Sequence, residues 1–203
     1  MLNHILKSRS APRGTTIERI WTYELTSVIA FRGRRRTVYR RVVALSGARP
    51  GDRVLDIGCN AGYLARLLAA TVTPGGQVTG VDPSGPAIAH ATRRAPANAS
   101  FAVGAAQDLG WPDGSFDVVT STLAVHHIPE ADRAAAFGEM FRVTRPGGRL
   151  LIADFRPSRR HRGPHGLRHA QPIDLTALAE AAGFRVAASG DLPLLHYIRA
   201  VRQ

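Results

Sequence analysis

Val54-Leu-Asp-Ile-Gly-Cys-Asn-Ala-Gly-Tyr-Leu-Ala65 is the stretch that decides the fold of this chain. Apolar Val54, Leu55 and Ile57 flank an acid, Asp56, and lead into Gly58 and Gly62. Leu64, Leu67 and Leu68 then follow at helical spacing. The pattern predicts a buried strand, a glycine turn and a helix N-terminus. Glycine has no Cβ and tolerates positive φ, so such a turn lets a ligand approach the backbone closely. An acid at the strand end beside bare backbone amides suits a ligand that carries hydroxyls and a charged group.

A dinucleotide fingerprint needs G-x-G-x-x-G, with pyrophosphate at the helix N-terminus. Gly58-Cys59-Asn60-Ala61-Gly62 has Asn60 at the middle glycine and the wrong final spacing. Asn is the next most tolerant residue for left-handed backbone, so the turn survives the exchange. Taken alone, the segment also fits an ordinary strand, turn and helix with no ligand.

Outward from this turn, strands and helices alternate. Strands are expected at residues 54–57, 77–81, 101–103, 116–121, 149–155, 185–189 and 195–201. Helices are expected at 63–71, after the N-cap candidate Ser84, at 131–143 and at 175–182. Arg145-Pro146-Gly147-Gly148 reads as the stop of the third of these. Such alternation implies an α/β fold, a Rossmann-like doubly wound, seven-stranded, mostly parallel sheet with helices on both faces. Ligands bind such sheets beyond the carboxyl ends of the strands, where Asp56, Asp82, the Ala106-Gln107 turn and Ser121 fall.

Ahead of the core, apolar residues at helical intervals over residues 17–45, interrupted by Gly33, predict two helices. Residues 1–45 are read as an N-terminal helical lid of the same domain, and 46–203 as the ligand-binding part. With 203 residues and 44% hydrophobic content, one domain with a substantial core is expected. The sequence shows neither an apolar run of membrane-spanning length nor a signal-peptide core, so a cytoplasmic protein is expected. Cys59 is the one cysteine, which leaves no intrachain disulfide and no multi-cysteine metal site. It reads as a small buried spacer.

The net charge is +12, and Lys7 is the one lysine. Arginines gather at Arg32, Arg34, Arg35, Arg36, Arg40 and Arg41, and with histidines over residues 156–172. A solvated face or loop is the favoured reading, against a phosphate-tracking surface. An anionic small substrate fits either cluster.

Five segments, in order, resemble the class I S-adenosylmethionine (SAM) methyltransferases. The opening stretch is similar to that family's first motif, and Thr79-Gly-Val-Asp82 to its second strand end. Pro112-Asp-Gly-Ser-Phe-Asp-Val-Val119 and Thr120-Ser-Thr-Leu-Ala-Val-His-His-Ile-Pro129 resemble the segments around its fourth strand. Arg145-Pro-Gly-Gly148 matches its turn into the fifth. The branch most alike includes the ubiquinone/menaquinone-biosynthesis C-methyltransferases. The resemblance implies SAM as cofactor and S-adenosyl-L-homocysteine as its product.

By the same resemblance, Asp56, Gly58, Cys59, Asn60 and Gly62 would surround the methionine part. Asp82 and Pro83 would take the ribose, and Ala106 and Gln107 the adenine edge. Ser121 would face the cleft. Two positions depart from the family: Asn60 stands at a usual glycine, and Ala105 where an acid usually faces the adenine amino group. His126 and His127 can include a general base, since imidazole titrates near neutrality, or can bond backbone and fix their loop. The implied function is methyl transfer to a small acceptor, anionic or aromatic. An RNA or DNA methyltransferase, suggested by charge, and an inactive SAM-binding partner protein are the competing readings.

Overall fold

The structure, a computed structural model, describes residues 34–156 and 173–203. Helix α1 (Arg35–Ser46) precedes β1 (Arg53–Ile57), α2 (Tyr63–Thr71), β2 (Gln77–Asp82), α3 (Gly85–Thr92) and β3 (Ala99–Val103). Then come β4 (Phe116–Thr122), α4 (Glu130–Val143), β5 (Thr144–Phe155), α5 (Leu175–Ala181), β6 (Phe184–Leu192) and β7 (Leu195–Arg202). The seven strands lie in the order β3-β2-β1-β4-β5-β7-β6. β1 to β5 pair in parallel, and β7 runs antiparallel to both of its neighbours. Among the described residues, no helix is long and apolar enough to cross a membrane.

The central strands are apolar on both faces, and this sorts the core into two layers. Val54, Val118 and Leu151 join Leu64 and Leu68 of α2 and Val38 and Val42 of α1. Leu55, Val119 and Ile152 face the other way, onto Phe137 and Met140 of α4. Alternate residues of one strand thus feed opposite layers, as the pleat requires. Ser84 caps α3 as expected, its hydroxyl accepting from Ala87 N at 3.3 Å.

Helix α4 ends at Val143, as expected, but the Arg145-Pro146-Gly147-Gly148 segment does not stand outside the sheet; it lies inside β5. The register jumps from Phe116↔Thr144 to Val118↔Arg149, so the extra residues bulge out of the ladder. Gly147 at φ +72° allows that excursion. At Gly148, a Cβ would meet Thr144 Cγ2 at 2.6 Å and the Arg145 carbonyl at 2.7 Å.

Of the two helices expected ahead of the core, the first and its aromatic residues lie outside the described residues, as does most of the Arg/His-rich stretch. The second is α1. Its Val38, Tyr39 and Val42 are buried in the α2-side layer, so this helix is a part of the core. Arg149 of β5 fastens the end of α1 by donating to the Gly47 carbonyl, and it bonds the Asp52 carboxylate at 2.6 Å.

Val42→Ala therefore lowers stability by about 1–3 kcal/mol, the cost of a buried cavity, as read by chemical denaturation. A loss within experimental error would show that α1 is a detachable cover.

Candidate active site

The chain leaves β1, fills β2 and β3 on one side, then returns to β4 on the other, so the switch point lies between β1 and β4. The glycine turn sits there. Gly58, Asn60 and Gly62 all have positive φ, at +69°, +47° and +75°. What the two glycines make room for is protein. A Cβ on Gly58 would lie 2.2 Å from Ala124 Cβ, and one on Gly62 2.8 Å from the Phe101 ring.

The expected bare amides are absent from this turn, a correction to the sequence reading. Gly58 N and Cys59 N both donate to the Val81 carbonyl, and Gly62 N to that of Cys59. Asn60 N donates to Asp82 Oδ2 at 2.9 Å, and Ala61 N to the Asn60 side chain at 2.6 Å. Closing the turn so tightly consumes its donors. Recognition falls to side chains instead.

Asp82 receives Asn60 N on one oxygen and Ser84 N on the other, tying the β1–α2 turn to the β2–α3 turn. Burial raises its pKa against those two bonds. Asp56 is 2% exposed. Its Oδ1 accepts from Thr120 Oγ1, directly across the β1–β4 pair, at 3.0 Å. Its Oδ2 has no hydrogen-bond partner among the described residues. Burial, with the neighbouring Asp82 charge adding to it, lifts the Asp56 pKa from 3.8 to about 7, and the Thr120 hydroxyl opposes the rise. The Cys59 thiol is pushed up by burial and by the same two carboxylates. It is a poor nucleophile, in keeping with a spacer role.

A cleft of about 340 Å³, measured with its open mouth, runs along the turn. Asp56, Gly58, Cys59 and Asn60 line it, joined by residues the sequence did not mark as part of the site, among them Arg35, Ala61, Tyr63 and Thr122. Arg35 was read as one of a surface cluster, and Arg34, Arg36, Arg40 and Arg41 are indeed exposed. Arg35 differs, its guanidinium lying over the Tyr63 ring at 4.2 Å. The Arg35 Nε, Thr122 Oγ1 and Ser121 Oγ atoms are buried without a partner. One orphaned acceptor, Asp56 Oδ2, thus stands among orphaned donors. Buried polar atoms without partners are rare and costly, which marks a place for a ligand. An ammonium beside Asp56 and a carboxylate beside Arg35 and Thr122 would satisfy the set, so the residues fit the amino-acid end of SAM.

Asp82, Pro83, Ala106, Gln107 and Ser121 do not line this cleft. They lie on or beyond the ends of β2, β3 and β4, along the same sheet edge. The Ala106-Gln107 turn is closed by Ala105 pairing with Asp108, so Asp108 shapes the turn. It is held from outside by α4. Leu109 N donates to Glu139, while Arg142 donates to the Leu109 and Trp111 carbonyls and to Asp113. These carboxylates raise the Arg142 pKa further.

His126 lies on the 3-10 turn Val125–His127 after β4. Its Nδ1 is 2.7 Å from Asp154 Oδ1, at the end of β5, and its backbone N donates to Asp154 Oδ2 at 3.0 Å. The Asp154 partner was not legible in the sequence, since 28 residues separate the two.

Residues 54–148 match the family model described as a methyltransferase domain. That stretch is similar to methyltransferase domains, and the sheet around it has the Rossmann-like fold of the class I, SAM-dependent methyltransferases. The chain is 39% identical to a demethylmenaquinone methyltransferase of Beutenbergia cavernae, over 66% of this chain and 53% of that one. It is 44% identical to a 2-methyl-6-phytyl-1,4-hydroquinone methyltransferase of Synechocystis sp., over 52% of this chain and 33% of the relative. The chain thus spans about half or less of the length of these relatives. A SAM-dependent methyltransferase from Aquifex aeolicus shares the fold, with a TM-score of 0.72, 22% identity, and coverage of 81% of this chain and 89% of that one. SAM is the cofactor that this family implies.

A folded-state pKa near 7 against 3.8 means that the native protein holds the Asp56 proton more tightly than the unfolded chain does. Stability on this account is present at low pH and falls as pH rises from about 4 to about 7. Asp56→Asn removes the titration. The unfolding free energy of the variant minus that of wild type should rise by a few kcal/mol across that window and level off above it. A difference that stays flat from pH 4 to pH 8 would show that Asp56 ionises as an ordinary carboxylate.

Proposed function

We propose that the protein transfers a methyl group from S-adenosyl-L-methionine to a small-molecule acceptor and releases S-adenosyl-L-homocysteine. The observation that carries this reading is the set of buried atoms on Asp56, Arg35 and Thr122, without partners among the described residues, that line the cleft along the glycine turn, in a stretch similar to methyltransferase domains. When bound, SAM supplies an electrophilic methyl on a sulfonium sulfur, and the electron pair of the broken carbon–sulfur bond stays with sulfur.

The chain's own groups then bind and align. Asp56, Arg35 and Thr122 hold the amino-acid end, with Gly58, Cys59, Asn60 and Gly62 shaping the wall beside it. Asp82 keeps free lone pairs for the ribose hydroxyls after its two backbone bonds. Pro83 continues that wall, and Ala106 and Gln107 border the adenine. Ser121 adds a hydroxyl at the end of β4, and His126 serves as general base. Aligning acceptor and methyl in a closed site supplies much of the rate by proximity alone.

The names of the relatives, a demethylmenaquinone and a phytyl-hydroquinone methyltransferase, support an apolar aromatic acceptor. Cytoplasmic action and covering of the acceptor by residues 1–45 belong to the same proposal. Nothing in the cleft favours the nucleic-acid reading that the arginine content raised.

Calorimetry should show SAM and S-adenosyl-L-homocysteine binding with one site. Labelled methyl should pass to reduced quinones and phenols but not to RNA. Binding without transfer to any acceptor would identify an inactive SAM-binding protein, and transfer to RNA alone would reverse the substrate class.

A further inference from the structure

We propose that Asp154 is the positioning residue of a His126–Asp154 pair that takes the acceptor's hydroxyl proton during methylation. This rests on the methyl-transfer reading above. The pair stands at the carboxyl ends of β4 and β5, beside the cleft. Thr122 lines the cleft, Ala124 packs against Gly58, and His126 follows two residues later.

Asp154 is 3% exposed. One of its oxygens receives the backbone N–H of Phe155 at 2.7 Å and the other that of His126 at 3.0 Å. A carboxylate already accepting on both oxygens requires the ring nitrogen facing it, Nδ1 at 2.7 Å, to carry the hydrogen. Assigned from this network, the lone pair of a neutral ring is on Nε2. Nε2 has no hydrogen-bond partner among the described residues. Backbone bonds alone would fix the loop; the additional ring bond sets the tautomer.

The ring is held on its other sides by His127 at 4.0 Å and by Phe155 at 4.8 Å. One strand further, His196 lies opposite Asp154 in the β5–β7 register and is bonded to Asp191. Phe155 is 48% exposed and Leu194 44%. Arg156 N donates to the Leu194 carbonyl, bringing these two apolar residues to one edge. A base beside an exposed phenyl ring suits a phenol or hydroquinone. In the proton step the acceptor's O–H bond breaks and its electron pair stays on the acceptor. The proton binds Nε2, and Asp154 stabilises the imidazolium until the proton leaves to solvent. The retained pair then forms the bond to the methyl carbon.

Nitrogen-15 NMR of the histidine rings tests the geometry without cofactor or acceptor. His126 should show the Nδ1–H tautomer in wild type, and Asp154→Asn should convert it wholly or partly to Nε2–H. Methyl transfer to 1,4-naphthohydroquinone, kept reduced, tests the role. His126→Gln, which keeps both backbone bonds to Asp154, should lower kcat about 100-fold or more. Asp154→Asn should lower it in the same direction, with calorimetric SAM affinity within about threefold of wild type in both. An Nε2–H tautomer in wild type, or wild-type kcat in both variants, would overturn the proposal while leaving methyl transfer standing. Absence of transfer by wild type to any acceptor would overturn the methyl-transfer reading, and the role of the pair with it.

Discussion

A carboxylate buried at the end of the central strand governs the rest of this site. Asp56 has one oxygen bonded by Thr120, and the other has no partner among the described residues. An unpaired charge in that position costs more than a surface one by several kcal/mol. The protein meets the cost by letting the carboxyl hold its proton up to a pH of about 7. A cationic group arriving beside Oδ2 reverses the balance.

The glycine turn makes this arrangement possible by folding back on itself. Its amides go to Val81, Asp82, Asn60 and Cys59, so the turn is rigid and has little left to offer a ligand. Rigidity is what the chemistry needs. A turn fixed by Asp82 on one side and by Ala124 on the other holds Asp56, Thr122 and Arg35 around one cleft. The recognising side chains come from three separate elements, β1, β4 and α1.

Most of the fold was legible because it rests on local periodicity. The alternating apolar strands, the Ser84 cap and the left-handed Asn60 all follow from residue type and spacing. The Arg145–Gly148 segment marked the end of α4, but nothing local shows that it is also a bulge inside β5; only pairing with β4 does. The sequence marked Asp56 and Asp82 as acids at strand ends, where the structure puts them. Arg35 was hidden in an arginine-rich run, and only its packing on Tyr63 sets it apart from its exposed neighbours. Asp154 was equally hidden, since its bond to His126 depends on β4 lying beside β5. Pairing between distant segments carries no local signal.

The central claim is that side chains around a closed turn recognise the amino-acid end of the cofactor. Titration calorimetry of S-adenosyl-L-homocysteine against 5′-methylthioadenosine, which keeps the nucleoside and sulfur but lacks the amino-acid group, tests it most directly. Loss of the ammonium and carboxylate should weaken binding about 100-fold or more, since it leaves Asp56, Arg35 and Thr122 unpartnered in the complex. Equal affinity for the two would contradict the claim and move recognition to the nucleoside.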